Sequence, residues 1–426
     1  MLSSLFKTQL SILFLISLVI INSLAGVHSS DAGKPWESRD THIVKPAKEV
    51  DVRSSFGGCK DHKVADSGYF RTIKQGSKWW LVDPKGYLFL SVGMNSVEPK
   101  RVSSKDNTQW AKDTHKLLTE AGFNTIGRWS APEKFERVNK EIPWCNTLGF
   151  MRNYDKERPA NRGKKGYPME TIPVFDKEWP EFCERYAAEN VPQSKNNKFL
   201  VGHFSDNELP FRPDALNLYL SLPESDPGHQ AAQAWVKENR ISRRKTKDPK
   251  VQAAFLQLVA EKYYDTVAAV LKKYDPNHLY IGSRLHGRCI NEPVIRGANV
   301  CDVISINYYH SWEPDEKKTA SWTKWSEKPF LVGEFYAMKV TSRRLKADGA
   351  GFRVLKHEEA GEFYHTYTSS LLNKHPNCVG WHWFKYADSN TNYRKGIVGP
   401  AGEVHSTLTN AMRVLNEQVY SLRGVE

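Results

Sequence analysis

Cysteine is scarce in this chain, with six in 426 residues, and the patterns missing around those six narrow the chemistry. No two are spaced CxxC and no HExxH occurs, so neither a metal site nor any cofactor is expected. None precedes Cys59, which argues against lipid attachment at a cysteine beside an N-terminal cleavage site. No glycine-rich phosphate loop follows the first strand-like run, so a doubly wound nucleotide fold lacks its signature. Internal repeats are absent too. After the first residues no apolar run approaches membrane length, so no stable membrane insertion is expected.

Lys7 precedes an apolar or hydroxyl run from Leu10 to Ile21, and Ser23-Leu24-Ala25 offers small residues for cleavage. Residues 1–25 therefore read as a secretory signal peptide and the mature protein as secreted or periplasmic. In that setting six cysteines permit up to three disulfides. Cys289 with Cys301 closes the shortest loop and is the first choice, whereas Cys145 and Cys378 lie in or beside apolar runs that suit buried free thiols. The formal charge is +13. The basic residues crowd into Arg152 to Lys165, Arg240 to Lys250 and Lys339 to Lys356.

Residues 26–65 are polar and without periodicity, as in an arm or linker. Around Gln75-Gly76 two strand-like runs, Tyr69 to Ile73 and Lys78 to Val82, form a short N-terminal β-hairpin extension. From Tyr87 onward strands and helices alternate. The strands are Tyr87 to Asn95, Phe123 to Arg128, Ile142 to Leu148, Phe199 to His203, Leu279 to Arg284, Val303 to Tyr308, Phe330 to Glu334 and Cys378 to Phe384. The clearest helix is Pro249 to Tyr274, where Phe255, Leu258, Val259, Lys262, Tyr263, Val267, Val270 and Leu271 recur at helical spacing. Eight strands separated by helices predict an α/β fold, a (β/α)8 TIM barrel with long catalytic-face loops, over residues 66–426.

In such a barrel, chemistry sits where strands end in polar residues. Phe199-Leu200-Val201-Gly202-His203 turns abruptly into Asp206-Asn207-Glu208, and Phe330-Leu331-Val332-Gly333 ends in Glu334. These are the fourth and seventh strands, whose ends lie across the mouth from each other. Two carboxylates facing one cavity suit glycosidic hydrolysis, one protonating the leaving oxygen and the other attacking from the opposite side. His310, past the sixth strand, and Asn95 and Trp129, past the first and second, are further candidate sugar contacts.

The strand-end pattern resembles the retaining glycoside hydrolases of clan A. Within that clan FSDNELPF, LVGEF, GWHWFKYAD and KWWLVDPKGYLFLSVGMNSV are similar to the family 50 agarases and related exported agarase-like proteins. The resemblance implies that Glu208 is the acid/base and Glu334 the nucleophile. It also implies that Asn207 bonds the sugar 2-hydroxyl, and that Tyr308 orients the nucleophile through its hydroxyl. Arg128 would place a positive charge beside Glu334, and Trp383 would give an aromatic floor, being taken as the inward member of the pair Trp381 and Trp383. The implied reaction is double displacement on a galactan-type polysaccharide or its oligosaccharides.

If the barrel is right, all three basic segments lie on the catalytic face, which directs the expectation to an anionic glycan such as a sulfated galactan or a uronate polymer. A non-catalytic carbohydrate-binding barrel and a transglycosylase using the same residues are the alternatives. Nucleic acid is not expected as a partner, because the protein is exported and its cations lie in catalytic-face loops.

Overall fold

The computed structural model describes residues 40–102, 106–158, 166–341, 349–391 and 393–424. The expected leader, the first part of the arm, and residues 159–165 and 342–348 of two basic segments lie outside the described residues.

The expected hairpin is half of a larger unit. Strands β1 (Cys59–Lys63), β2 (Arg71–Gln75), β3 (Lys78–Val82) and β4 (Tyr87–Phe89) form one antiparallel sheet in the order β1-β4-β3-β2. Its Phe70, Leu81 and Phe89, with Phe56, join a core cluster with Cys145, Val201, Leu279, Val303, Leu331 and Val379 of the main sheet. Phe56 meets Phe199 at 4.6 Å, at the N-terminal edge of the fourth barrel strand. The small sheet therefore covers that end of the barrel, and β4 belongs to it although it reads as continuous with the first barrel strand. The segment expected to be a loose arm is also tied down. Val44 N donates to His365 Nδ1 at 3.0 Å, and Arg53 Nη1 donates to Gly122 O at 2.8 Å.

The main sheet comprises β5 (Ser91–Met94), β6 (Thr125–Ile126), β7 (Trp144–Thr147), β8 (Leu200–Phe204), β9 (Leu279–Tyr280), β10 (Leu285–His286), β11 (Ile304–Asn307), β12 (Phe330–Phe335) and β15 (Cys378–Trp383). Between the last two, β13 (Ala337–Lys339) and β14 (Phe352–Val354) pair with each other. All neighbours in the nine-stranded sheet are parallel, in the order β10-β11-β12-β15-β5-β6-β7-β8-β9. Its two edges, β9 and β10, follow each other in the chain, and the predicted strand Leu279 to Arg284 covers β9 and the break after it, where Gly282 has φ +76°. Ile281 N donates to His203 O on one side and Arg284 N to Ser305 Oγ on the other. The sheet thus curls until both edges meet on a single stretch of chain, which is a TIM-like barrel, and the predicted strand order holds around it.

Strands buried on both faces run as unbroken apolar segments, and β8, β12 and β15 are buried at every position. The helix Pro249–Tyr274 is capped by Asp248, whose side chain accepts from Lys250 N. Its buried face includes Phe255, Val259, Tyr263, Val267, Val270 and Leu271 as the spacing predicts, while Leu258 is half-buried and Lys262 exposed. The expected Cys289–Cys301 bridge is absent. All six cysteines are free thiols, and Cys145, Cys183, Cys301 and Cys378 are buried among apolar or aromatic neighbours that raise their pKa by burial.

Candidate active site

Each strand of the barrel delivers a polar residue where the apolar run stops, and the C-terminal mouth collects them. Glu334, in β12, is buried, with 5% of its surface exposed. Its Oε1 lies 2.8 Å from Arg284 Nη2, and the Tyr309 hydroxyl donates to its Oε2. Glu208 follows β8 with about a third of its side chain exposed. Its Oε1 accepts from Asn307 Nδ2 at 2.7 Å, and His286 Nδ1 stands 3.9 Å away. Arg284 links the two carboxylate positions, donating through Nη1 to Asn207 Oδ1 at 3.0 Å and through Nη2 to Gly333 O at 2.8 Å. Asn307 is the cross-strand partner of Glu334. One asparagine side chain therefore spans from the Glu334 strand position to the Glu208 carboxylate. An exposed carboxyl and a buried, cation-paired one, held this close, are suited to different steps of one reaction.

The structure brings Glu208, Glu334 and Asn207 together as expected and redistributes the other roles. The orienting hydroxyl belongs to Tyr309, not Tyr308. β11 ends at Asn307, so 307 and 309 face the mouth while Tyr308 turns outward, packing on Trp322 at 5.1 Å and accepting from Asp315 N. The cation paired directly with Glu334 is Arg284. Arg128 donates to Asp206 O at 2.8 Å and, as expected, adds a charge within electrostatic reach of Glu334. Burial and the neighbouring Arg284 charge push the Arg128 guanidinium down to about 9.

Trp383 is not an aromatic floor. Side chains two apart on a strand share a face, so Trp381 and Trp383 both point into the helix layer and His382 points inward. Trp383 packs on Phe335 and Tyr364, and its Nε1 donates to Lys395 O at 2.8 Å. His382 fills the barrel axis, its Nε2 2.9 Å from Ser91 Oγ. A Cβ at Gly93 or Gly127 would collide with its ring, which is why those positions are glycine. Burial and the Arg284 charge lower the His382 pKa to about 3.

Asn95 is fully buried and donates to Gly333 O at 2.9 Å. Its amide nitrogen fixes the backbone that carries Glu334, and its Oδ1 is left without a hydrogen-bond partner. Trp129 is half-buried at the mouth, with the guanidinium carbons of Arg128 and Arg284 each 5.1 Å from its ring centroid and Phe384 at 5.9 Å. Phe384 and Trp129, rather than Trp383, are thus the aromatic rings that stand together at the mouth. His310 is exposed, beside Tyr309. Five non-glycine residues around this rim hold a left-handed backbone: Ser96 (φ +59°), Trp129 (+61°), Glu208 (+54°), Arg284 (+56°) and His310 (+60°). Such backbones are uncommon outside glycine and gather at functional sites.

Asp206, buried beneath Glu208, accepts from Met151 N, Arg152 N and the Tyr263 hydroxyl. Burial raises its pKa to about 6 against those bonds and the Arg128 charge. Arg152 thus anchors one basic segment to the strand tip, whereas residues 240–250 are mostly exposed.

By spacing alone His203, Asp275 and His278 could hold a metal ion, but they lie towards the other end of the barrel and their atoms are engaged. Asp275 Oδ2 accepts from His203 Nε2 at 2.9 Å and His278 Nδ1 at 2.7 Å, His278 Nε2 donates to Asn197 O, and His203 Nδ1 accepts from Asn146 Nδ2. The group is a closed hydrogen-bond network. A shallow depression lined by Glu133, Glu136, Trp144, Gln193 and Phe199 also lies away from the two glutamates.

The crystal structure of BpGH50 superposes with a TM-score of 0.80 at 27% identity, covering 90% of this chain and 92% of that one. The chain is similar to the agarases of glycoside hydrolase family 50. It is also similar to beta-agarase B of Vibrio sp. strain JT0107, at 24% identity over 89% of this chain. Beta-agarase A of the same organism is 26% identical over 73%. This family 50-like chain spans 51% and 36% of the lengths of those two relatives. A structure described as an exo-beta-agarase shares the fold with a TM-score of 0.73 at 20% identity. No family model matches the chain.

Proposed function

We propose that this protein is a secreted retaining β-glycosidase that hydrolyses a galactan-type polysaccharide or its oligosaccharides by double displacement. The observation that carries the reading is the joining of Glu208 and Glu334 through Asn307 and Arg284 at one mouth. Glu334 is the nucleophile, because a buried carboxylate paired with Arg284 and Tyr309 is held in one orientation for attack. Glu208 is the acid/base, because it is the exposed member and reaches the leaving group and water. Double displacement requires the two carboxyls to stand about 5–5.5 Å apart, closer than a water-activating pair. Asn207, held by Arg284, is placed for the sugar 2-hydroxyl, and Trp129 and Phe384 for its apolar face. The catalytic unit is residues 66–426, with the preceding arm bound to it. The similarity to agarases supports the galactan class. No helix among the described residues is long and apolar enough to cross a membrane.

Proton NMR of the first products from agaro-oligosaccharides is the test. Release of the β-anomer is expected, and initial release of the α-anomer would overturn double displacement while leaving hydrolysis intact.

A further inference from the structure

One cation at the mouth plays no part in holding the two glutamates. The Lys395 ammonium lies 4.1 Å from the Tyr336 ring centroid and 4.5 Å from that of Phe384. Both rings adjoin the catalytic groups, with Tyr336 packing on Tyr309 at 5.3 Å and Phe384 on Trp129 at 5.9 Å. The backbone of Lys395 is fixed by the Trp383 indole. Among the described residues its ammonium has neither a carboxylate within salt-bridge reach nor a hydrogen-bond acceptor. Nearby cations are already placed: Lys385 donates to Ser389 Oγ at 2.6 Å and Arg394 Nε to Thr391 O. Of the nearby acids, Asp388 accepts from Gly396 N and His405 Nε2, and Glu334 is paired with Arg284.

A half-buried ammonium framed by two aromatic faces keeps part of its desolvation cost even after cation–π attraction. Burial and the charge of Lys385 accordingly push it down to about 8, against the pull of Glu334 and Asp388. The frame also has the two parts a charged sugar needs, aromatic surface for its C–H face and a donor for its anion.

We propose that Lys395, between Tyr336 and Phe384, receives an anionic substituent of the substrate, a sulfate ester or a uronate carboxylate, next to the bond that is cut. This rests on the hydrolase reading above. A neutral galactan would leave the ammonium without its partner.

The test compares wild type, Lys395→Met and Lys395→Arg on a sulfated galactan oligosaccharide, the same oligosaccharide desulfated, and a uronate-bearing one. In the Met variant the ratio of kcat/KM for sulfated over desulfated substrate falls about tenfold to a hundredfold, the scale of a charged hydrogen bond. Arg restores most of it. A larger loss on the uronate substrate than on the sulfated one identifies carboxylate as the preferred anion. Equal losses on charged and neutral substrates would overturn the inference and return Lys395 to a role in packing or in the field at Glu334. Calorimetric binding to Glu334→Gln protein separates the two layers. If no glycan is turned over, the hydrolase reading fails, yet an anionic-over-neutral binding preference lost on adding Lys395→Met still upholds the subsite. No such preference in the Glu334→Gln protein overturns it.

Discussion

The two ends of the barrel use buried charge in opposite ways. Towards the N-terminal end, Asp275 is held by two histidines and by the backbone amides of Asn277 and His278, and the outer nitrogens of both rings are engaged as well. Burial would raise the Asp275 pKa, but the His203 and His278 bonds outweigh it and hold the carboxyl well below its usual range. At the mouth, two guanidiniums flank one indole, and Arg128 Nε, Arg284 Nε, Asn307 Oδ1 and Asn95 Oδ1 are buried without a hydrogen-bond partner. Each such atom costs about 1–3 kcal/mol. One end is satisfied and holds the fold; the other is kept short of partners where a ligand enters, the division expected between the two faces of such barrels.

The sharpest way to break the comparison is at the carboxylates. Glu334→Gln and Glu208→Gln should each lower turnover about 10,000-fold with an unchanged melting temperature. Undiminished turnover in either folded protein would remove its assigned role. Next comes a matched pair, one at each end. Arg284→Met leaves Glu334 buried without its cation and should reduce kcat about 100-fold or more. Asp275→Asn should destabilise by about 3–5 kcal/mol, the cost of breaking a buried pair, while kcat of the folded fraction stays within about twofold. Thermal melts and active-site-normalised rates, measured on both variants, would contradict the division if the two effects were exchanged.

A smaller contrast lies within one strand end. Tyr309→Phe removes the hydroxyl from Glu334 and should lower kcat about tenfold, whereas Tyr308→Phe should affect only stability. Equal kinetics for the pair would restore Tyr308 as a candidate.

Acid is the mildest perturbation and pulls the groups apart. Burial lowers the histidine pKa to about 3 at His382 and about 4 at His357 and His375. The unfolded chain therefore binds protons there that the native state refuses, and stability is lost as pH falls below about 6.5. Asp206, raised to about 6, acts in reverse, because the native state binds its proton first and gains stability as pH falls through 6. Three histidines outweigh one aspartate. The melting temperature should fall about 5 °C between pH 7 and pH 5. A level profile would contradict the neutral histidines.

The barrel was legible because fully buried parallel strands leave an unmistakable apolar run, and because Glu208 and Glu334 each stand where such a run stops. Expectation and structure part at single residues beside those stops. Tyr308 and Tyr309 are distinguished only by where β11 ends, and the Trp381–Trp383 pair was misread because positions two apart share a face. Arg284 and Asn307 end strands just as the glutamates do. The same strand-end rule applied to polar residues other than acids would have found them. Only β2 and β3 of the small sheet are legible in the sequence, because β1 is mostly exposed and β4 runs on into the first barrel strand without a polar break. The disulfide expectation failed because loop length says nothing about whether two thiols face one another.

The left-handed rim has a practical corollary for anyone seeking a hardier variant. Of the five, Glu208 and His310 are exposed and lose little packing on truncation, so glycine at either would relieve roughly 1 kcal/mol of backbone tension. A screen that rewards heat resistance alone would therefore be drawn to this ring. It would collect durable barrels stripped of the groups that make the mouth useful, so any such selection has to score turnover at the same time.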